Sequence, residues 1–379
     1  MKRIYLDYNS TTPLSGHVRK ALLSALDNFG NPSSVHAEGR AAKAIMQKAR
    51  REVAALVHAD PENIVFTSGA TETAMTLLTP HYFMGRSPLF LSHFYFSATE
   101  HPCITSLGRF PAEMSTSVPV DSNGIVQPDS LREILARHDR SKGLPLAAIQ
   151  YANHETGIIQ PVVALAKVIK EAGGLFIVDA VQAAAKEKLD ITEDCGDFFI
   201  LSSHKIGGLK GVGAYIAAGS IIRPEPLITG GGQERGLRGG TEALPLVAAF
   251  GAAATDACNR EQEHERLAKL QKRLEEGLRE IMPDVIIYGS GAKRLPNTTF
   301  FSAPDIKAET MQIAFDLEGI AVSAGAACSS GKVRKSPVLQ AMGAIASNGA
   351  IRVSSGRDTR TNDIEHFLKV FKNIISRKK

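Results

Sequence analysis

Short apolar runs alternate with helix-patterned stretches through the first two thirds of the chain. Ile64-Val65-Phe66, Leu89-Phe90-Leu91, Ala147 to Gln150, Leu175 to Val178, Phe198 to Leu201 and Val212 to Ala217 are the strand candidates. Between them, Ile45, Ala49, Val53 and Leu56 fall at helical spacing within Arg40 to Val57. This alternation predicts an α/β fold whose large domain carries a mostly parallel sheet flanked by helices. In such sheets ligands gather at the carboxyl ends of the strands. The texture changes after about Ala217. A glycine-rich segment, Thr229 to Thr241, has the composition of a loop that approaches something closely. A long polar helix is then predicted around Glu261 to Ile281, with Leu267, Leu270, Leu274, Leu278 and Ile281 on one stripe. It leads into a smaller α+β domain with strands at Val285 to Tyr288, Thr298 to Phe301 and Ile351 to Val353. No internal repeat or low-complexity tract interrupts the pattern.

Composition narrows the classes. At 379 residues the chain has room for about two domains. Its 44% hydrophobic and 22% charged residues are ordinary for a globular protein. A net charge of +5, with its densest cluster at Ser376-Arg377-Lys378-Lys379, is too mild to point to nucleic acid, and no strand-spaced aromatic platform is present. No apolar stretch has membrane length, and the start, Met1 to Asp7, reads as strand rather than signal peptide. Cys103, Cys195, Cys258 and Cys328 are scattered without a CxxC, which predicts a reducing, cytoplasm-like compartment.

The chemistry concentrates at two strand ends. The run Phe198 to Leu201 closes in Ser202-Ser203-His204-Lys205, and Leu175 to Val178 closes in Asp179. A lysine ammonium in such a place is costly unless neutral, paired or covalently consumed. Desolvated lysines form Schiff bases, and an acid for a pyridinium nitrogen completes the needs of pyridoxal phosphate. A buried Asp179–Lys205 ion pair fits the same residues, so both readings stand. Thr67-Ser68-Gly69-Ala70-Thr71-Glu72 follows a strand and opens a helix, which suits an anion or merely an N-cap. The glycine loop is a second phosphate candidate, with Arg235 and Arg238 as donors. No GK[ST] and no GxGxxG after an early strand argue against a nucleotide.

His101 precedes Pro102, which favours a non-helical residue able to face a ligand, or simply a satisfied polar side chain. Cys328, in Ser323-Ala324-Gly325-Ala326-Ala327-Cys328-Ser329-Ser330-Gly331-Lys332, is flanked by tiny residues, so an exposed loop is expected there. Lys332, Arg334 and Lys335 would favour its thiolate. The nine residues from Cys328 to Pro337 reach at most about 30 Å. No His, Cys and carboxylate cluster has metal-ligand spacing.

Together these segments resemble the cysteine desulfurases of the NifS/IscS type, within the class V aminotransferases and the fold-type I pyridoxal-phosphate enzymes. Tyr5-Leu6-Asp7-Tyr8-Asn9-Ser10-Thr11-Thr12-Pro13 is similar to the family's YLDNNATTP opening. Gly30 to His36 matches GNPSSxH, Thr67 to Glu72 matches TSGATE, and Glu100-His101-Pro102 matches EHP. Ser202 to Lys205 matches SxHK, Arg238 to Thr241 the RxGT loop, and Ala327 to Gly331 the active-cysteine loop of the longer-loop group. The expected division is a cofactor-binding domain over 15–258 and a small domain of 1–14 with 259–379 carrying that loop.

The resemblance implies roles. Lys205 would hold pyridoxal 5'-phosphate as a Schiff base and then move the α-proton of L-cysteine. Asp179 would pair the ring nitrogen and Gln182 the ring oxygen. Ala70, Thr71, Ser202 and His204 would bind the phosphate, with Thr241 supplied by the other subunit of a homodimer. His101 would stack on the ring and assist proton transfer. Arg352 would clamp the substrate carboxylate beside Asn9. Cys328 would take the sulfur as a persulfide, leaving alanine, and pass it to an acceptor for Fe–S clusters or other sulfur cofactors. No resident metal is implied, and Cys328 would touch an Fe–S cluster only in passing.

Three departures stand out. In Asn153-His154-Glu155-Thr156-Gly157 the histidine occupies the place of an asparagine that contacts the ring oxygen, and an imidazole can change charge between about pH 5 and 8. Tyr8 replaces an asparagine, and Leu209 stands where proline is common. Two alternatives remain: a selenocysteine lyase or cysteine β-lyase, neither of which needs Cys328, and a non-catalytic scaffold, which has no use for Lys205 with Asp179. No nucleic-acid or membrane partner is expected.

Overall fold

The computed structural model describes residues 3–194, 196–258, 261–304, 306–327, 333–334, 336–344, 346 and 348–376. Among them, nine strands form one large mixed sheet in the order Ile222–Pro224, His81–Met84, Ser87–Ser97, Leu144–Gln150, Leu175–Asp179, Phe198–Ser202, Gly213–Ala217, Ile64–Thr67, with Ser115–Val118 also beside Ser87–Ser97. From Ser87–Ser97 to Phe198–Ser202 neighbours run parallel, as does Ser115–Val118 with Ser87–Ser97. The flanking pairs are antiparallel. The expected α/β architecture is present, its parallel character confined to the centre.

The central runs are apolar throughout because both faces are covered. Alternation sends Phe199 and Leu201 into one core with Ala49, Val53 and Phe250, while Phe198 and Ile200 enter another with Leu77, Phe94 and Tyr215. Register brings Gln150 opposite Asp179, and Ser202 and Thr67 opposite Gly213. The ends of five strands thus share one edge, where the chain leaves the sheet into loops. Gly213 must be glycine: a Cβ there would lie 2.8 Å from the Gly69 backbone and from Leu201 O.

Helix Leu244–Cys258 was not legible in the sequence. It is apolar on nearly every side, being packed under Ala37–Leu56 and Gly16–Leu26, so no polar face marks its period. Conversely, Ala37–Leu56 and Glu261–Ile281 form where their stripes predict. Arg50, in the middle of the former, is buried in a paired contact with Glu234, which also accepts the Phe66 N–H at 3.0 Å.

A separate core gathers Leu267, Leu270, Leu274, Leu278, Phe301, Phe315, Phe367 and Phe371 around the antiparallel strands Ile286–Ile287, Thr298–Ser302, Ile351–Ser354 and Ser323–Ala324. Leu6 belongs to this core, because Ile4–Tyr5 pairs in parallel with Ile320–Ala321. Residues just beyond it cross to the large sheet, where Thr12 N–H donates to His204 O at 2.9 Å. No helix of the described residues is long and apolar enough to cross a membrane.

Gly251 sets the spacing of the buried helix pair, since a Cβ there would sit 2.6 Å from the Ala49 Cα. Gly251→Ala should destabilise the protein by about 1–3 kcal/mol although alanine is the better helix former. Chemical denaturation checks this; unchanged or higher stability contradicts it.

Candidate active site

The shared strand edge opens into a cleft of about 820 Å³ whose wall includes Asn9, Ala70, Thr71, His101, His154, Asp179, Gln182, Ser202, His204, Lys205 and Arg352. Eleven residues singled out from sequence therefore meet in one place. Thr241 does not: it is exposed and outside the wall formed by this single chain. Cys328 lies outside the described residues, as does Cys195.

Lys205 ends a short turn, Ser203–Lys205, directly after Phe198–Ser202. Its Nζ donates to the carbonyls of Asn9 at 2.6 Å and Ser10 at 3.0 Å. Burial, aided by the Arg352 charge, pushes the amine down to about 8. About a tenth of the amine is thus neutral at pH 7. Asp179 closes its own strand and accepts the Val181 N–H at 3.0 Å. Burial pushes its carboxyl up to about 6, the Val181 hydrogen bond and Lys205 pulling the other way. The two do not form the ion pair that the sequence also allowed, because the amine is taken by carbonyls. Next to Asp179, burial and that carboxylate raise Glu100 well above the usual range. Glu100 accepts the Gln150 N–H at 2.7 Å through one oxygen, and its other oxygen has no described partner. A neutral Glu100 leaves Asp179 to carry the negative charge.

Above this pair, His101 caps the helix Pro102–Thr105, its Nδ1 accepting the Cys103 N–H at 3.2 Å. The proton of the neutral ring then sits on Nε2. Burial and the nearby Lys205 push His101 down to about 4. His154 meets it edge-on, ring centroids 5.2 Å apart. Burial first, then His101, Arg352 and Lys205, hold His154 well below the ordinary histidine value. It stays neutral where the sequence allowed a change of charge. Its Nδ1 is buried without a described partner. Neither Tyr8 nor Leu209 reaches the cleft wall; the Tyr8 hydroxyl turns to Asp358 at 3.3 Å.

At the other end, helix Ala70–Leu77 begins after Gly69 with no side-chain cap, so its first N–H groups lack an intrahelical acceptor and face the cleft. Ser202 and His204 lie beside it, and burial pushes His204 down to about 4. The glycine loop contributes differently from expectation. Arg238 pairs with Glu72 at 3.0 Å, and Arg235 donates to Ile64 O at 2.8 Å, so both brace the turn instead of offering a second phosphate site.

Arg352, on Ile351–Ser354, donates to His154 O at 2.8 Å, Asp7 Oδ1 at 2.9 Å and Ser10 Oγ at 2.8 Å. Its Nε is buried with no described partner. Ser323 Oγ also donates to Asp7, at 2.8 Å. Sequence reasoning missed Asp7, Ser323, Glu100 and Lys186. Asp7, Glu100 and Ser323 sit inside segments already singled out, while Lys186 had no signal beyond residue type.

A phosphorylated pyridine aldehyde fits what is present. The open helix start and His204 suit a dianion, the unpaired Asp179 a ring N–H, and Lys205 the aldehyde, with orphaned polar atoms on the lining residues His154 and Arg352.

Residues 4–367 match the Aminotransferase class-V family model. A cysteine desulfurase of Sinorhizobium fredii is 37% identical, covering 100% of this chain and 97% of that one. The cysteine desulfurase IscS of Dictyoglomus turgidum is 36% identical over 100% and 96%. Among solved structures, a NifS-like protein from Rickettsia africae superimposes with a TM-score of 0.88 at 32% identity over 99% of each chain. A cysteine desulfurase from Thermococcus onnurineus, solved in its apo form, has a TM-score of 0.82 at 23% identity, a likeness of fold.

The carboxyl of Asp179 makes a sharp prediction. Its folded value lies about 2 units above 3.8, so its stabilising share is full below the unfolded value and is lost as pH rises through about 6. Without cofactor, Asp179→Asn should therefore be more stable than wild type by up to about 3 kcal/mol at pH 8, the gap closing near pH 4. Urea titrations at the two pH values check this; a gap that widens in acid contradicts it.

Proposed function

The chain belongs to the class-V aminotransferase family, and we propose that it is a pyridoxal-phosphate-dependent cysteine desulfurase that converts L-cysteine to L-alanine and takes the sulfur onto Cys328. The observation that carries the reading is the strand-end pair: a buried carboxylate without a cation and, across the same cleft, a lysine pushed down to about 8. Its relatives named as cysteine desulfurases support the substrate.

Bound pyridoxal phosphate supplies an electron sink that makes the substrate α-proton and C–S bond labile. Asp179 would keep the ring nitrogen protonated, while Ala70, Thr71, Ser202 and His204 would hold the phosphate. Gln182 and the neutral His154 present donors to the ring oxygen. Arg352 would receive the cysteine carboxylate, its Nε being without a described partner, with Asn9 alongside. Lys205 would accept the α-proton as a neutral amine, and His101 Nε2 would relay protons near the substrate. The Cys328 thiolate attacks the substrate sulfur. The new S–S bond forms as the C–S bond breaks, its electron pair ends on carbon, and a proton there yields alanine. The Cys328 persulfide then passes its outer sulfur to an acceptor thiol, for Fe–S cluster or other sulfur-cofactor assembly.

Gly325 and Pro337, on either side of the segment bearing Cys328, both line the cleft, and three residues from Gly325 span at most about 10 Å. Under this reading residues 15–258 form the cofactor domain and 1–14 with 259–379 the small one. The working form is a cytoplasmic homodimer. Exposed Phe29 and Val35, each 87% accessible, support a covered face, and Thr241 reaches the partner's phosphate site.

A cysteine-to-alanine assay with persulfide trapping tests the proposal. Wild type should form alanine and a trappable persulfide, and Cys328→Ser should lose both by at least about a hundredfold. Alanine formed at the wild-type rate by Cys328→Ser would favour the lyase alternative.

A further inference from the structure

Lys186 takes no part in the steps above, yet its amine is tied into the floor of the site. It lies outside the cleft wall, while both of its partners line that wall. Nζ donates to Gln182 Oε1 and to Asn9 Oδ1, each at 2.9 Å. Burial pushes the amine well below the ordinary lysine value, with Lys205 and Arg352 adding like-charge repulsion. Two donors suffice for its two contacts, and a neutral amine keeps two.

Both acceptors are side-chain amides, whose oxygen and nitrogen ends are nearly the same size and opposite in role. Gln182 Nε2 donates to Asn9 O at 3.0 Å, the same carbonyl that receives the Lys205 amine at 2.6 Å. Among the described residues, Lys186 is the one donor to Gln182 Oε1. Turning that amide over would set Oε1 against the Asn9 carbonyl oxygen and give up the Lys186 hydrogen bond to Oε1. Asn9 is locked likewise: Oδ1 also accepts from Asn297 at 3.1 Å, and Nδ2 donates to Thr298 at 2.9 Å.

The backbone supports this placement at a cost. Ala185 has φ 66°, a left-handed conformation that disfavours alanine by roughly 1–2 kcal/mol. The turn is closed by the Lys186 and Glu187 N–H groups, both donating to Ala183 O at 2.9 Å. Glu187 is held in turn by His264 at 3.2 Å and Lys293 at 3.6 Å. Strain persists where the surroundings over-determine a conformation, and here they fix the root of the Lys186 side chain.

We propose that Lys186 is a positioning residue that sets the amide orientations of Gln182 and Asn9 and, through the Asn9 carbonyl, the location of the Lys205 amine. The proposal rests on the cofactor reading above, and it makes the Gln182 N–H end the one presented to the cofactor.

The experiment reads cofactor binding rather than turnover. Purified apoprotein is reconstituted with pyridoxal phosphate, and Kd and the absorbance maximum of the bound cofactor are measured for wild type, Lys186→Met, Gln182→Leu and the double variant. Lys186→Met should weaken binding about tenfold and move the maximum, but in the Gln182→Leu background it should change Kd by less than about twofold. Lys186→Gln, which keeps an N–H donor and carries no charge, should lose less affinity than Lys186→Met. An unchanged Kd in Lys186→Met, or losses that multiply fully in the double variant, would overturn the proposal. Should Lys186→Met fail to fold, Lys186→Gln decides: a weaker Kd and a moved maximum that vanish in the Gln182→Leu background support the role, and an unchanged Kd and maximum refute it. Wild type that does not bind pyridoxal phosphate overturns the cofactor reading itself. Wild type that binds it without desulfurating cysteine leaves the cycle readable.

Discussion

The site depends on keeping a lysine amine out of water without neutralising it through an acid. Lys205 is held by two backbone carbonyls, those of Asn9 and Ser10, which solvate its hydrogens but supply no countercharge. An ion pair with Asp179 would raise the amine and use up the carboxylate. With carbonyls instead of an acid on the amine, burial and the Arg352 charge hold it at about 8, and Asp179 is left without a cation. Both groups are therefore reserved for something that brings an aldehyde and a cationic ring nitrogen.

This arrangement explains why the N-terminal segment bridges the two cores. Leu6 is anchored in the smaller core, and three residues later the chain offers its carbonyls to Lys205. Asp7, between them, meets Arg352 and Ser323. Lys205, Arg352 and the strand Ser323–Ala324 thus share one stretch of backbone. Displacing that stretch would disturb all three, so the Lys205 and Arg352 sides of the cleft are mechanically joined.

Much of this was legible in the sequence because burial on both sheet faces writes uninterrupted apolar runs, and Asp179 and Lys205 each follow one. Asp179 and Lys205 stood out for that reason, and the family motifs supplied the partners. Helix Leu244–Cys258 escaped because a helix buried all round has no polar phase. Lys186 escaped because Ala183-Ala184-Ala185-Lys186 looks like an ordinary helical surface segment, whereas a left-handed turn at Ala185 redirects it inward. The arginines of the glycine loop looked like phosphate donors because sequence shows charge but not the acids that claim it, Glu72 above all.

The central claim is that Lys205, among several nearby amines, is the one poised for the aldehyde. Borohydride reduction of the protein reconstituted with pyridoxal phosphate, followed by peptide mass spectrometry, tests it most directly. The account predicts a single phosphopyridoxyl adduct on Lys205; an adduct on Lys186 or Lys210 instead, or none, would contradict it.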